Sequence, residues 1–303
     1  MAFSQANVNY AAEYSAELAN AMPYLSYFGA IFENENSMKY RPLRGATVEI
    51  PSLEVSGAVA ASRNSINGSF SRNWNNAWQA VTLAQDREWS TLIDPLDMEE
   101  TARVATVANI TKTFNELQKV PEMDSFIAAT LATKAIASSH ADTTSLSAAN
   151  ILGQWDTYLA AMTDARFNRD RVVAYCTPAT YKLLKEASGL TRFVDTGTGI
   201  RGVDRNVGKL DGVTIVEVPS DLMKTAYDYD EGFVAASGAG QVNLLMVAVD
   251  AVAAPVVYDT AMVSEPTADN KGKWIYYERF YYGCFVLNNR TAGVYINYTA
   301  NPL

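Results

Sequence analysis

The spacing of apolar residues is most regular in the middle of the chain, where it predicts two consecutive helices. In residues 97–119 the apolar positions recur every three or four residues, which is typical of an amphipathic helix. The members of this stripe are Val104, Val107, Thr111, Phe114 and Leu117. Asp97 is a suitable N-cap, and Glu100 completes a capping box three residues later. Pro121 then opens or kinks a second helix, because proline suits the first turn of a helix better than its interior. The apolar residues of that helix follow at four-residue steps: Met123, Ile127, Leu131 and Ala135.

The second half of the chain alternates between short helices and apolar strands. Helices are predicted from about residue 148 to 165 and from Pro178 onward. Strands are predicted at 171–176, 213–218, 242–249, 274–287 and 292–298. The run 242–249 is apolar nearly throughout, which is typical of a strand that is buried on both faces. Because regular β-α-β repeats are few, the order of elements predicts an α+β fold.

Residues 1–44 read as an N-terminal arm rather than as a domain. A short helix is predicted over residues 10–20, and Pro23 ends it. Bulky apolar residues follow without a sustained period, and they include Tyr24, Tyr27, Phe28 and Phe32. An apolar segment this irregular needs another surface to lie on, so we expect these four side chains at an interface.

Residues 45–86 are predicted to form a long β-hairpin. The outgoing strand alternates at Val48 and Ile50, and the phase of the alternation slips at Pro51, which indicates a bulge or an edge strand. Asn67 and Gly68 form a strong signal for a tight hairpin turn.

The return strand of this hairpin is aromatic. Phe70, Trp74 and Trp78 share one face of a strand, although the same spacing would also suit a helix. Either the aromatic face packs against another surface, as interface patches do, or the hairpin folds back on its own domain. The sequence pattern leaves both readings open.

Composition limits the possible functions. The 303 residues suffice for one large domain or two, and 49% hydrophobic with 19% charged residues describes a globular chain. A net charge of -9 argues against tight binding of DNA, although a container wall need not grip its contents. Two cysteines inside apolar runs suit a reducing compartment. Neither a secretory signal nor an apolar run of about 18 residues is present.

None of the sequence motifs that could form a catalytic, metal or nucleotide site is convincing. The single histidine, His140, lies in a polar loop, and two distant cysteines do not form a zinc motif. The glycine spacing at 197–202 lacks the ending and the preceding strand of a phosphate loop. The acidic run 228–232 is best read as a turn, and the acids between 94 and 100 as helix capping. We therefore predict no catalytic residue, no cofactor and no metal site.

Several segments, in this order, resemble the major capsid proteins of tailed, double-stranded DNA bacteriophages, which have the Hong Kong 97 fold. They are residues 86–101, 120–124, 172–184, 210–220 and 272–281. The resemblance covers nearly the whole chain. It implies an N-terminal arm (1–44), an extended loop (45–86), a peripheral domain with a spine helix (87–145 and 270–303) and an axial domain (146–269).

The resemblance also implies a structural function. Proteins of this family assemble as hexamers and pentamers into an icosahedral head around the DNA, so the implied location is the virion, assembled in the host cytoplasm. The implied partners are further copies of the chain, a portal protein and possible decoration proteins. Because the arm begins at Met1, we expect scaffolding to come from a separate protein.

The family resemblance implies contacts between subunits through the extended loop and the arm. Some members crosslink a lysine of this loop to asparagine, but residues 45–86 contain no lysine. We expect Arg63 and Arg72 to pair with acidic groups of a neighbour instead, while Phe70, Trp74 and Trp78 pack against it.

Two other readings compete with a phage capsid protein. An encapsulin-type nanocompartment shell would share the fold but enclose an enzyme cargo, for which it needs a groove that binds a cargo peptide. An α/β hydrolase or oxidoreductase would instead be a monomer or small oligomer with measurable turnover.

Overall fold

The computed structural model describes six stretches of the chain, and everything below refers to these. They are residues 26–40, 47–58, 74–96, 107–187, 208–230 and 232–300. Helices and strands are both abundant, so the predicted α+β class is confirmed. The helices are α1 (Gly29–Phe32), α2 (Glu35–Lys39), α3 (Val107–Phe114), α4 (Val120–Ala137), α5 (Ile151–Asp164) and α6 (Pro178–Glu186).

Fifteen strands lie within the described stretches. The first eight are β1 (Thr47–Val55), β2 (Trp74–Thr82), β3 (Gln85–Ile93), β4 (Ala141–Asp142), β5 (Val172–Cys176), β6 (Lys209–Leu210), β7 (Val213–Glu217) and β8 (Tyr227–Asp228). The others are β9 (Val234–Ala235), β10 (Gln241–Ala248), β11 (Val252–Ala253), β12 (Val256–Ser264), β13 (Trp274–Tyr282), β14 (Phe285–Val286) and β15 (Val294–Thr299).

A six-stranded sheet in the order β4-β15-β10-β5-β7-β6 organises the largest core. Strand β10 lies inside it, antiparallel to both β5 and β15, and is buried along most of its length, as its apolar sequence predicted. Buried side chains of α4, α5 and α6 join the same core, among them Leu131, Trp155 and Leu184. The helices predicted near 148–165 and from Pro178 are therefore confirmed as α5 and α6.

A second sheet of three long antiparallel strands has the order β12-β13-β3. Every second residue of β13 is buried, from Tyr276 to Tyr282, so one face of the sheet packs inward. Strand β3 was not expected, because residues from 86 onward resembled the start of the spine helix. Its alternation is nevertheless regular: Trp89 and Ile93 face inward while Glu88 and Leu92 are exposed.

The predicted pair of helices is one nearly continuous helix with a π-helical segment, Asn115–Lys119, between α3 and α4. A π turn holds extra residues, so it rotates the stripe that follows it. Leu117, which was expected to be buried, is 62% exposed, and Asn115 and Lys119 are buried instead. Pro121 lacks the N–H that an α-helix would direct at Leu117, and the wide turn lies across this position. The predicted capping residues Asp97 and Glu100, together with Val104, lie outside the described residues.

The boundary expected at residues 269 and 270 does not separate the two sheets. Strand β12 lies before this boundary but pairs with β13 in the three-stranded sheet. Strand β15 lies after it but pairs with β10 and β4 in the six-stranded sheet. Strand β12 pairs with the next strand along the chain, whereas β15 pairs with the distant strands β10 and β4, so a single boundary near residue 269 does not follow the two sheets.

Candidate assembly surfaces

Strands β1 and β2 form a two-stranded antiparallel ribbon, so this part of the predicted hairpin is confirmed. Pairing runs without a register shift from Thr47 opposite Thr82 to Val55 opposite Trp74. The bulge expected at Pro51 is absent, since Pro51 pairs directly with Trp78. The edge-strand alternative is the correct one, because in a two-stranded ribbon each strand has one free edge where proline is tolerated. The helical reading of residues 74–78 is excluded.

One face of the ribbon is anchored to the rest of the chain. Ile50 is buried in a small cluster with Ala253, Phe285 and Leu287. Beside this cluster, the Gln79 amide accepts a hydrogen bond from the backbone N–H of Asn288 at 2.9 Å and donates one to a backbone carbonyl at 3.2 Å. The base of the ribbon therefore has a defined position on its own chain.

The opposite face is apolar and exposed. Residues at alternate positions of a strand share a face, so pairing places Leu53, Val55, Trp74 and Trp78 on the same side. Their exposed fractions are 66%, 72%, 51% and 61%, respectively. We call this surface the outer ribbon face. The base of the hairpin therefore folds back on its own chain, as one of the two readings predicted, and packing of the aromatic face against another surface stays a prediction.

Leu53 and Val55 belong to this face, although sequence reasoning had not assigned them to an interface. The sequence showed that β1 alternates with a period of two. It did not show which residues of β1 pair with which residues of β2, and that pairing places Leu53 and Val55 beside the tryptophans. The remaining predicted loop residues, Arg63, Phe70 and Arg72, lie outside the described residues.

Two of the four arm residues that were expected at an interface pack against the core of their own chain. Phe28 is fully buried in the main core of its own chain and stacks on Tyr175, with ring centroids 4.3 Å apart. Phe32 is half-buried against the same core. Phe28 has no surface left for a neighbour, so the expectation that it lies between subunits is corrected: it stabilises its own fold. Tyr27 is 39% exposed, and Tyr24 lies outside the described residues.

Side-chain hydrogen bonds explain why this part of the arm lies on its own chain. The Asn34 amide donates to the backbone carbonyls of Val249, at 2.5 Å, and Val252, at 3.0 Å. The Ser37 hydroxyl accepts from the N–H of Ala254 at 2.9 Å. Buried polar groups with such partners give the contact a specific geometry, which the irregular apolar pattern did not reveal.

A buried ionic cluster joins the long helix to the three-stranded sheet. Lys119 is fully buried, and its ammonium group contacts Glu278 at 2.5 Å and Asp259 at 2.9 Å. The Tyr276 hydroxyl donates to the second carboxylate oxygen of Glu278 at 2.8 Å. The sequence signal was a lysine four residues after Asn115, on the stripe that the π turn redirects inward.

A second ion pair lies one turn further along the helix. Arg87 of β3 contacts Glu122 at 2.7 Å, and the Arg87 guanidinium also donates to the backbone carbonyl of Tyr229. Burial raises the pKa of Glu122 above its usual range, although the hydrogen bond from Arg87 opposes this shift. Together the two clusters fix the sheet against the helix.

No arrangement for catalysis is assembled from the described residues. The His140 ring stacks on Tyr295 and lies 3.0 Å from the carbonyl oxygen of Thr291, so it is held in place rather than solvated as expected. Burial raises the pKa of the Cys176 and Cys284 thiols to about 12, which keeps them protonated. Within the described stretches, no group of three histidine, cysteine or acidic side chains could hold a metal ion. None of the helices searched there is both long and apolar enough to cross a membrane.

The acidic segments that could have formed a site are turns, and the glycine-containing segment lies outside the described residues. Asp94 accepts a hydrogen bond from the N–H of Leu96 and pairs with Lys273 at 3.5 Å. Asp228 accepts from the N–H of Asp230, which is a turn contact. The glycine-containing segment 197–202 is not described.

An open groove of about 600 Å³ lies between β2, α4 and the segment that precedes β9. Phe126, Tyr229 and Cys284 contribute to its lining, with Lys134 at one side.

Comparison with known proteins identifies the architecture. No family model matches the chain, and no curated protein matches its sequence. The mature capsid of bacteriophage PhiM1 is similar in structure, with a TM-score of 0.62 at 12% identity over 86% of this chain and 83% of that one. The capsid of cyanophage P-SCSP1u has a TM-score of 0.62 at 15% identity over 86% and 85%. A virus-like particle from Pyrococcus furiosus has a TM-score of 0.50 at 11% identity over 94% and 99%. The chain therefore has the fold of phage capsid proteins, and the capsid fold that the sequence resemblance implied is confirmed.

Proposed function

We propose that the chain is the major capsid protein of a tailed, double-stranded DNA phage and self-assembles as hexamers and pentamers into an icosahedral head. The observation that carries this proposal is the outer ribbon face, an exposed apolar surface on an anchored two-stranded ribbon, in a chain with the phage capsid fold. In this proposal, each copy of the chain buries its outer ribbon face against a neighbouring copy, and the function of the protein requires no chemical step.

In this proposal the contacts between copies join unlike surfaces. The ribbon face of one copy meets a different part of the next, and such heterologous contacts close into rings when the rotation between copies allows it. Each exposed tryptophan offers on the order of 2–3 kcal/mol if it becomes buried. Arg63 and Arg72 would add charged contacts to acidic groups of a neighbour, and Tyr24 and Tyr27 would add contacts from the arm.

The same proposal includes the division of the chain and its partners. We assign the arm to 1–44 and the extended loop to 45–86. The peripheral part is built on the three-stranded sheet with the long helix, and the axial part on the six-stranded sheet. A separate scaffolding protein and a portal protein act during assembly in the host cytoplasm, and decoration proteins can bind the finished virion. DNA is enclosed without sequence-specific binding, which suits a net charge of -9.

A second candidate is an encapsulin-type shell that encloses a protein cargo. Two observations favour it: the likeness to the Pyrococcus furiosus particle, and the apolar groove beside α4, which has the size to take a short peptide. An enzyme of the hydrolase or oxidoreductase type has no such support from the described residues.

Expression of the full chain, with scaffolding protein supplied, tests assembly. Size-exclusion chromatography and negative-stain microscopy should show closed particles. A chain that stays monomeric at every concentration with scaffold present would refute shell assembly. Nuclease-treated particles purified from infected cells separate the two candidates, because a phage head retains protected DNA, whereas a cargo shell retains a stoichiometric protein.

A further inference from the structure

A lysine and two carboxylates meet on the inward face of the three-stranded sheet. Asp259 of β12 and Glu278 of β13 are diagonal neighbours on this face, because Ala261, two residues after Asp259, pairs with Glu278. Lys119, the last residue of the π-helical segment, reaches the same face from the long helix. Its Nζ lies 2.5 Å from Glu278 and 2.9 Å from Asp259. The three side chains therefore converge at one nitrogen atom.

The lysine nitrogen faces both oxygens of the Asp259 carboxyl group. Nζ of Lys119 is 2.9 Å from Oδ1 and 3.0 Å from Oδ2, so the carbon that joins these oxygens lies within about 3.5 Å of it. Reacting atoms that are held ready for bond formation are separated by about 3–3.5 Å. The flexible four-carbon stem of lysine can close the remaining gap. The distance therefore suits attack of the amine on the carboxyl group.

Water is largely excluded from this nitrogen. Lys119 and Glu278 are fully buried, and the ring of Phe280 lies 4.9 Å from Nζ. The Tyr276 hydroxyl donates to one oxygen of Glu278 at 2.8 Å, while the other oxygen contacts Nζ. Transfer of a proton from the ammonium to Asp259 turns two charges into a neutral amine and a neutral acid, which exclusion of water favours. Asp259 keeps 33% of its side chain exposed, so a released water molecule has a path to solvent.

We propose that Lys119 and Asp259 form an isopeptide bond within the folded chain, and that Glu278 carries the proton. Nζ of the neutral amine attacks the carboxyl carbon of Asp259. Glu278 accepts a proton from the nitrogen and returns it to the departing hydroxyl group, which leaves as water. The C–N bond forms, one C–O bond breaks, and Glu278 ends as the carboxylate that it was at the start. One ammonium and one carboxylate thus become one amide and one water molecule, without any other reactant.

This bond is a modification of a single chain. It joins positions that are 140 residues apart and ties the long helix to β12. It forms once in each chain, so it is a self-modification and not turnover. Because all three groups belong to one chain, the inference holds whether or not the chain assembles, and the bond adds no multimer bands to a denaturing gel.

Tryptic digestion and mass spectrometry of the purified, folded full-length chain test the bond. Trypsin cuts after free lysines, so an unmodified chain releases residues 113–119 and 120–134 as separate peptides. The isopeptide bond blocks the cut after Lys119 and joins residues 113–134 to residues 225–271. We expect this branched peptide, lighter by one water molecule than the sum of its two parts. The branched peptide is the deciding readout, because a succinimide at Asp211 and Gly212 would also remove one water from the intact chain.

Variants assign the roles of the side chains. Lys119→Arg keeps the positive charge but lacks the amine, so the branched peptide should be absent. The matched control, Lys112→Arg, changes an exposed lysine of the same helix and should retain the branched peptide. Glu278→Gln keeps the shape of the side chain but cannot accept the proton, so the branched fraction should fall to trace levels while circular dichroism still shows a folded chain.

Two results would overturn the proposal. A folded wild-type chain that releases residues 113–119 as a free peptide and gives no branched peptide would show that the three groups form an ion cluster only. A folded Glu278→Gln chain that forms the branched peptide as completely as the wild type would remove Glu278 from the reaction. If this variant does not fold, the wild-type digest still decides whether the bond exists.

Discussion

Truncation of Trp78 tests the outer ribbon face directly. A tryptophan buries about 150–250 Å² at an interface, and 61% of Trp78 is exposed in the single chain. About 90–150 Å² is therefore left for a neighbour to cover, which is worth about 2–4 kcal/mol at about 25 cal/mol per Å². Since alanine retains part of this contact, we expect Trp78→Ala to lose about 2–3 kcal/mol for each contact. That loss raises the concentration needed for assembly by about 30- to 150-fold.

The fold of the single chain should hardly change in this variant. Trp78 lies on the exposed side of β2, and substitutions at such positions usually change the free energy of unfolding by less than about 0.5 kcal/mol. Trp74→Ala, at the far end of the same face, should behave in the same way. Sedimentation velocity over a concentration series measures assembly, and urea unfolding followed by circular dichroism measures the stability of the chain.

Two controls make the result interpretable. Asn75→Ala alters an exposed side chain on the other face of β2, and should assemble like the wild type. Ile50→Ala removes a buried anchor of the ribbon base, so it should lower the free energy of unfolding by about 2–5 kcal/mol. If Trp78→Ala assembled at wild-type concentrations, or lost stability as Ile50→Ala does, the outer ribbon face would not be an assembly surface.

Three further predictions follow from other parts of the molecule. Because loop 45–86 has no lysine, boiled and reduced particles should give one band near 33.1 kDa on a denaturing gel, whereas a ladder of multimers would indicate covalent crosslinks. Lys119→Met strands the buried carboxylate of Glu278, and we expect a loss of about 3–5 kcal/mol in urea unfolding, partly restored by adding Glu278→Gln. In a Cys284→Ser chain, Cys176 should react with an aromatic disulfide reagent at pH 8 only on unfolding, because burial raises its thiol pKa to about 12; rapid reaction of the native chain would contradict its burial.

The sequence predicted helices and strands correctly where the spacing of apolar residues was unambiguous. The apolar run at 242–249 can only be a buried strand or helix segment, and it forms β10 as expected. The ribbon strand β1 was predicted from its alternation. The π turn is a case where the local pattern misled, because a regular 3.6-residue period predicted a buried Leu117.

The sequence by itself determined the α+β class, most helices and central strands, and the presence of an aromatic hairpin, because these depend on periodicities within about 20 residues. Only the tertiary structure decided which strands share a sheet, since β13 pairs with the distant β3 as well as with its neighbour β12, and β15 pairs with β10 and β4. It also decided that Phe28 belongs to the core while Trp78 faces outward, although both are aromatic residues in segments without a core of their own. The physical reason is that burial depends on residues that are distant in sequence. Tyr175 lies where Phe28 can stack on it, so Phe28 is fully buried. The described residues leave 61% of Trp78 exposed.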